Sequence, residues 1–280
     1  MQTYELIRAK GNFLIVIKHF FLIFHACVCL VPFLWIVLSA FKDNTSIFIR
    51  PFSLPENFSP ENFIKVWNNG GISVYFRNSL FISTITVCLQ IFLVSMTSYV
   101  LTRLLLRSFL SIYYIFGLMI PVHALLLPNF LTIRNFGLMN NPLGVILVYC
   151  ASGLSFGILL LSGFMKQIPR ELDEASMIDG AGYIKIFFCV IFPLSKSGLA
   201  TVATFAFLHS WNELLFAMVL LTRRGLMTIT LGINSLKSEY ITDYGLLCAG
   251  LLFAIVPVVI IYMLFQEHVV KSITAGAVKG

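Results

Sequence analysis

The amino-acid sequence predicts an all-α integral membrane protein, with six transmembrane helices and one short cytoplasmic helix between spans four and five. Three observations carry that expectation. Hydrophobic residues make up 59% of the 280 and charged residues only 11%, with a mean hydropathy of +0.92, whereas a soluble globular chain carries about 25% charge. The apolar residues fall in stretches of about 20, the length a helix needs to cross ~30 Å of hydrocarbon. The charges gather at the ends of those stretches and in one connection between them.

Span one is expected over Phe20–Ala40, with Pro32 kinking it. The apolar stretch is too long for a cleavable signal peptide, and no small-x-small site closes it. Span two is expected over Ser79–Leu101, closed by Arg103 and Arg107. Span three covers Phe109–Phe130 and contains Pro121 and Pro128. Span four covers Pro142–Phe164, and span six Tyr244–Phe265. Between Ile184 and Leu221 the chain is too long for one crossing and too short for two. Pro193 and Gly198 resolve this: the part before Pro193 lies on the membrane surface, and span five runs from Leu194 to Ala217.

Six spans place both termini on one side. With the termini inside, ten basic residues are cytoplasmic: Arg8, Lys10, Lys18, Arg103, Arg107, Lys166, Arg170, Lys185, Lys271 and Lys279. Eight lie outside: Lys42, Arg50, Lys65, Arg77, Arg134, Arg223, Arg224 and Lys237. The margin is small and favours cytoplasmic termini. Lys196 is left inside span five, near its end, where it snorkels. The net charge of +7 comes from 19 scattered basic residues, a membrane-anchoring pattern that gives no reason to expect nucleic acid. The six cysteines all sit in apolar stretches, with no Cys-x-x-Cys pair and no His cluster beside them, and read as small buried hydrophobes rather than a metal site or disulfide framework.

The connection Gln167–Gly182 does not belong in a membrane. It holds Glu171, Asp173, Glu174 and Asp179, four of the twelve acids. Pro169 suits a helix start, acids in the first turn complement the dipole, and Gly180 and Gly182 suit the exit. Ile168, Leu172, Ala175 and Ile178 share one arc, so a short surface helix is expected, its stripe interrupted by Glu171 and Asp179.

Elsewhere, no Gly-x-x-x-x-Gly-Lys-Ser/Thr occurs, so any ATP is hydrolysed by a separate chain. No nucleophile–base pair or His-Glu-x-x-His motif points to an enzyme. Polar residues within spans are costly and face a cavity or a partner. His123, Asn129, Trp211, Asn212 and Glu213 are the substrate-path candidates: the acid and amide beside the Trp211 indole suit sugar hydroxyls and a sugar ring. Structural packing is the competing reading for that triplet. For His25, His123 and Gln90 it is a hydrogen bond within the bundle.

Glu174-Ala175-Ser176, three residues, Gly180, nine residues, then Val190-x-Phe192-Pro193 resembles the EAA loop of ABC importer permeases. Ser176, Val190 and Phe192 depart conservatively from the family's Ala, Ile and Leu. Pro32-Phe-Leu-Trp35 with Ser39–Lys42, Asn78-Ser-Leu80, Ser98–Arg103, Trp211-Asn212-Glu213 and the ending Ile273–Gly280 resemble the carbohydrate branch of the maltose type, specifically its second permease subunit. The resemblance covers essentially the whole chain. It implies a single transmembrane domain over residues 1–280, with core spans at about 74–270 and the coupling segment at about 167–193. It implies that Glu171, Glu174, Ala175, Ser176, Asp179, Gly180 and Pro193 form the coupling helix region that docks on an ATPase. It also implies that the tail, with Gly276, Lys279 and Gly280, reaches the ATPase dimer. The implied partners are a second, homologous permease, a cytoplasmic ATPase dimer carrying the ATP and Mg, an external solute-binding protein and membrane lipid. The chain itself would hold no cofactor and no metal. It would be a multi-pass protein of the plasma or inner membrane, importing a sugar or oligosaccharide. The rivals are an ABC permease for a non-sugar solute such as a glycerophosphate, and an ion-coupled secondary transporter. The latter requires an inverted repeat and an intramembrane carboxylate; the sequence offers only Glu213 and no repeat.

Overall fold

The computed structural model describes residues 2–103, 107–237 and 242–277, and every regular element among them is helical. In chain order these are α1 (Gln2–Ser39), α2 (Asn44–Ile49), α3 (Glu61–Asn68), α4 (Ile72–Arg103), α5 (Arg107–Met119), α6 (Leu126–Asn135), α7 (Pro142–Met165), α8 (Glu171–Ile178), α9 (Tyr183–Ile186), α10 (Phe192–Leu194), α11 (Lys196–Asn212), α12 (Leu215–Leu220), α13 (Ile229–Ser235) and α14 (Tyr244–Ala277). Among the described residues, four stretches are long and apolar enough to cross a bilayer: Ile15–Ser39, Ile72–Arg103, Pro142–Met165 and Tyr244–Glu267. Two bent pairs, Phe109–Met119 with Val122–Asn135 and Tyr183–Leu194 with Lys196–Asn212, raise the number to six if each is one span.

The chain divides into two compact units, one of residues 1–70 and 236–252, the other of residues 71–235 and 253–280. In the first, Asp43 caps α2 by accepting from Thr45 and Ser46 N–H groups at 3.1 and 3.4 Å. The hydrogen bond with Ser46 holds its carboxyl below the ordinary value. Lys42 is buried, its ammonium donating to the Arg50 and Pro51 carbonyls. Asn62 donates to the Ala40 and Lys42 carbonyls, and Asn44 joins Thr242 to Tyr244 by bonds of 3.0 and 2.7 Å. The long polar connection after span one is therefore a built element with its own two helices.

The second unit is organised on α4 and α7, which pack over more of their length than any other pair. Lipid offers no hydrophobic drive between spans, so close backbone approach and hydrogen bonds hold them. Gly153 and Gly157 of α7 supply the approach: a Cβ at Gly153 would land on the Gln90 amide, and one at Gly157 would meet Val94 Cγ2 at 2.9 Å. Gln90 donates to the Tyr149 and Cys150 carbonyls at 3.2 and 2.9 Å, and Ser98 donates to Ile158 O at 3.1 Å. Gln90, Val94 and Ser98 recur every four residues, so they form one face of α4. The helix-joining reading of Gln90 holds. On α7 the Asn-Pro signal works locally: Asn141 caps the helix, accepting from Leu143 N–H at 2.9 Å, and Pro142 fills the first turn.

Two expected spans differ in detail. Span three is built of two limbs bent by 89°. Pro121 breaks it, taking an extended backbone (φ −60°, ψ 121°). Pro128 does not, because it occupies the first turn of α6, where its missing N–H has no partner to lose. Span five bends by 77° at Ser195, two residues after Pro193. Gly198 is no hinge; it lies inside α11 where a Cβ would strike Leu161 and Phe164 of α7. The helix then stops at Asn212 rather than continuing to Ala217, and resumes as α12.

Candidate functional site

The acid-rich connection folds as predicted into a short helix, α8, with Glu171, Asp173 and Glu174 in its first turn. Its exit is a Schellman motif: Gly180 N–H donates to Met177 O at 3.0 Å and Ala181 N–H to Ser176 O at 2.9 Å. Gly180 has φ +78° and open space around it, so backbone handedness alone requires glycine there.

The helix turns its acid, not its apolar arc, toward the rest of the unit. Its one buried residue is Asp173, while Leu172, Met177 and Ile178 are exposed, Ile178 to 87%. Asp173 Oδ2 pairs with Arg103 Nε of α4 at 2.8 Å, with side-chain exposures of 10% and 6%. Burial raises the Asp173 carboxyl above its ordinary value against the opposing pull of Arg103 and Arg170. Glu171, Glu174, Ala175 and Asp179 are exposed, Ser176 is half-buried with its hydroxyl donating to Leu172 O at 2.7 Å, and Pro193 is exposed in α10. Thr102, Arg103, Lys166 and Arg170 line an adjoining cleft of about 590 Å³.

The five substrate-path candidates do not come together around one cavity. Trp211 is fully enclosed between Phe207 and Phe76, its Nε1–H donating to Ala254 O at 2.9 Å. In this conformation its ring is not presented to a solute. Glu213 is 7% exposed and ends α11. Its carboxylate accepts from Phe216 N–H at 3.0 Å, from Ala217 N–H at 3.3 Å and from the Tyr149 hydroxyl at 2.9 Å. It thus caps α12, which is where an otherwise expensive intramembrane acid is satisfied. Asn212 is exposed and donates to Leu208 O at 2.8 Å. His123 is exposed in the turn after Pro121, with its ring 6.2 Å from that of Phe216, and Asn129 is half-buried on α6.

A cavity of about 250 Å³ lies instead between α4, α7 and α11, its polar floor made by Gln90, Ser152 and His209 and its walls including Phe156 and Phe205. Ser152 Oγ and His209 Nε2 are 2.9 Å apart, and the two phenyl rings meet edge to face at 5.2 Å. None of the five candidates lines it. His209 and Gln90 were legible as polar residues in apolar runs. Ser152 carried no such signal, since serine is common in membrane helices. No group of three or more His, Cys, Asp or Glu that could hold a metal occurs among the described residues, and the six cysteines are free thiols. Gly276 lies in α14, which continues as helix well beyond Phe265, to Ala277; Lys279 and Gly280 fall outside the described residues.

Comparison with known proteins fits this architecture. The family model for binding-protein-dependent transport system inner membrane components matches residues 91–275. The diacetylchitobiose uptake system permease protein NgcG of Streptomyces coelicolor is 36% identical over 264 residues, 93% of this chain and 87% of that one. The probable starch degradation products transport system permease protein AmyC of Thermoanaerobacterium thermosulfurigenes is 33% identical over 89% of this chain and 91% of its own length. A bacterial ABC transporter involved in importing the acidic polysaccharide alginate shares the fold, with a TM-score of 0.81 at 22% identity over 90% of this chain and 95% of that chain. With its spans, its bent helix pairs and relatives matched over nearly their full length, the chain belongs to the inner-membrane permease components of binding-protein-dependent transport systems.

Proposed function

We propose that this chain is one half of the translocation channel of an ATP-driven importer for a sugar or short oligosaccharide, a transport subunit and not an enzyme. Its six spans form one membrane domain with both termini in the cytoplasm. It pairs with a second, homologous permease, receives solute from an external binding protein, and rests on two copies of a cytoplasmic ATPase that carry the nucleotide and Mg. The relatives' names, which include uptake of diacetylchitobiose and starch degradation products, support the carbohydrate class over a glycerophosphate.

The observation that carries the reading is the way α8 sits: it holds its acid inward on Arg103 and presents Leu172, Met177 and Ile178 to the outside. A lone surface helix gains nothing by exposing three large apolar side chains; a helix seated in a partner's groove does. Glu171, Glu174 and Asp179 add a carboxylate rim to that face, and Gly180 fixes where the chain leaves it. Pro193 would end the surface part of the segment. The tail with Gly276, Lys279 and Gly280 would reach the same ATPase dimer. ATP binds better to one arrangement of the ATPase dimer, and the coupled spans follow that population shift.

The test is co-purification of the ATPase with Ile178→Asp and Glu174→Lys variants. Both should insert normally and lose the ATPase. Full retention by both, with unchanged uptake, would remove α8 as the docking element. Uptake of radiolabelled chito- and malto-oligosaccharides against glycerol 3-phosphate by the reconstituted complex decides the solute class.

A further inference from the structure

We propose that Arg103 and Asp173 form a positioning strut that makes α4 move with α8, so that displacement of the docking helix is carried along α4 to the segment at its other end. This rests on the reading of α8 as the ATPase-docking element. Chain continuity already joins α8 to α7 and, through α9 and α10, to α11. It does not join α8 to α4. Among the described residues, that link is made by four side-chain contacts at the C-terminal end of α4. Arg103 pairs with Asp173 at 2.8 Å and donates through Nη2 to Ile168 O at 3.0 Å, just ahead of α8. Arg170, next to the start of α8, donates back to Thr102 O at 3.2 Å. Beyond α8, the Tyr99 hydroxyl donates to Tyr183 O at 3.2 Å. Both flanks of the docking helix and its middle are thereby tied to the end of one span, between Tyr99 and Arg103.

The pair suits positioning better than adhesion. Two charges withdrawn from water gain little net stability from each other, and losing one leaves the other unpaired. A leucine pair could slide there by an ångström; an ion pair supported by two crossed arginine–carbonyl bonds fixes the register.

At its far end α4 grips a second segment. Asn78 donates to the Gly225 and Met227 carbonyls, both at 3.0 Å, and Ser79 Oγ accepts from Ile229 N–H at 2.8 Å. Gly232 of α13 lies so close to the Tyr75 ring that a Cβ there would overlap it. Between Ser79 and Arg103 α4 is unbroken, about 36 Å of continuous helix at 1.5 Å per residue. Without proline in that stretch, it acts as a rod.

The experiment uses the complete complex, with the native cysteines replaced and Ser235→Cys introduced at the end of α13, where the side chain is exposed. Its labelling by a membrane-impermeant maleimide is timed with and without a non-hydrolysable ATP analogue. With the strut intact, nucleotide should change the labelling rate by about fivefold or more. Asp173→Asn should abolish that response while the ATPase still co-purifies, and the exchanged pair Arg103→Asp with Asp173→Arg should recover part of it. A merely structural ion pair would change expression or assembly and leave the response of the assembled fraction intact. Retention of the full response in Asp173→Asn, or no recovery in the exchanged pair, overturns the strut. If the unaltered complex itself shows no nucleotide response, the docking assignment of α8 fails instead.

Discussion

Replacing Gly153 by alanine isolates the contact that joins the two central spans. The added methyl would fall on the Gln90 amide nitrogen, with Cδ at 3.0 Å and Oε1 at 3.2 Å, so the amide must swing away. It then gives up its bonds to the Tyr149 and Cys150 carbonyls. Hydrogen bonds between membrane helices are each worth about 0.6 kcal/mol and up to ~1.7, and overpacking a close contact adds about 1–3 kcal/mol. Alanine returns about 1 kcal/mol of helix propensity. The net expectation is a loss of about 1–3 kcal/mol, with the bonds and strain outweighing the propensity. Reversible unfolding in mixed detergent micelles, followed by circular dichroism, measures it. Gly163→Ala on the same helix is the control, since a Cβ there meets nothing within 4 Å; it should be neutral or mildly stabilising. Shortening Gln90 to alanine makes room for the new methyl, so Gly153→Ala should cost less in the Gln90→Ala background than alone. If Gly153→Ala is as stable as the parent, or costs the same with and without the Gln90 side chain, the close approach of α4 and α7 through glycine is wrong.

Two further expectations concern the buried carboxylates. Glu213→Ala should destabilise the protein by about 1–2 kcal/mol by uncapping α12, whereas Glu213→Gln should retain most of the cap, both read from detergent unfolding midpoints; equal loss in both would indicate a role for the charge itself. Asp173 faces Arg103, Arg170 and Glu174, and burial raises its carboxyl above the ordinary value of 3.8. The folded state thus binds that proton more tightly than the unfolded chain, so its stabilising contribution is complete below pH 3.8 and is lost as pH rises through the raised value. The stability of the parent relative to Asp173→Asn, measured as melting temperature at graded pH, should therefore fall across that window, and a flat or rising difference would contradict the burial.

Much of this molecule was legible because the bilayer simplifies the code. The stretches at Pro142–Met165 and Tyr244–Glu267 begin where hydropathy put spans four and six, and the three acids mark the first turn of α8, with Pro169 two residues ahead of it rather than at its first position. What escaped depended on contacts between elements. The break of span five at Glu213 has no proline or glycine; it exists because a carboxylate there can cap the next helix and accept from Tyr149, 64 residues away in the chain. The same pairing explains why Trp211 and Glu213, chosen for their sugar-binding chemistry, are committed inward. The orientation of α8 was not legible for a related reason. Periodicity gives an apolar arc but not its partner, and Asp173 faces inward only because Arg103 waits at the end of α4. The cavity floor of Gln90, Ser152 and His209 comes from three separate helices, and no local pattern announces such a meeting.

The Schellman exit at Gly180 has a consequence for how such a subunit can change over time. The direction in which the chain leaves α8 is set by a left-handed backbone and two main-chain hydrogen bonds, and the helix's seat is set by Asp173 on its inner side. Neither depends on Leu172, Met177 or Ile178. The residues that would recognise a partner are thus separate from those that hold the helix in place. A few outward substitutions could retune which ATPase is served, while the membrane portion and its geometry stay as they are.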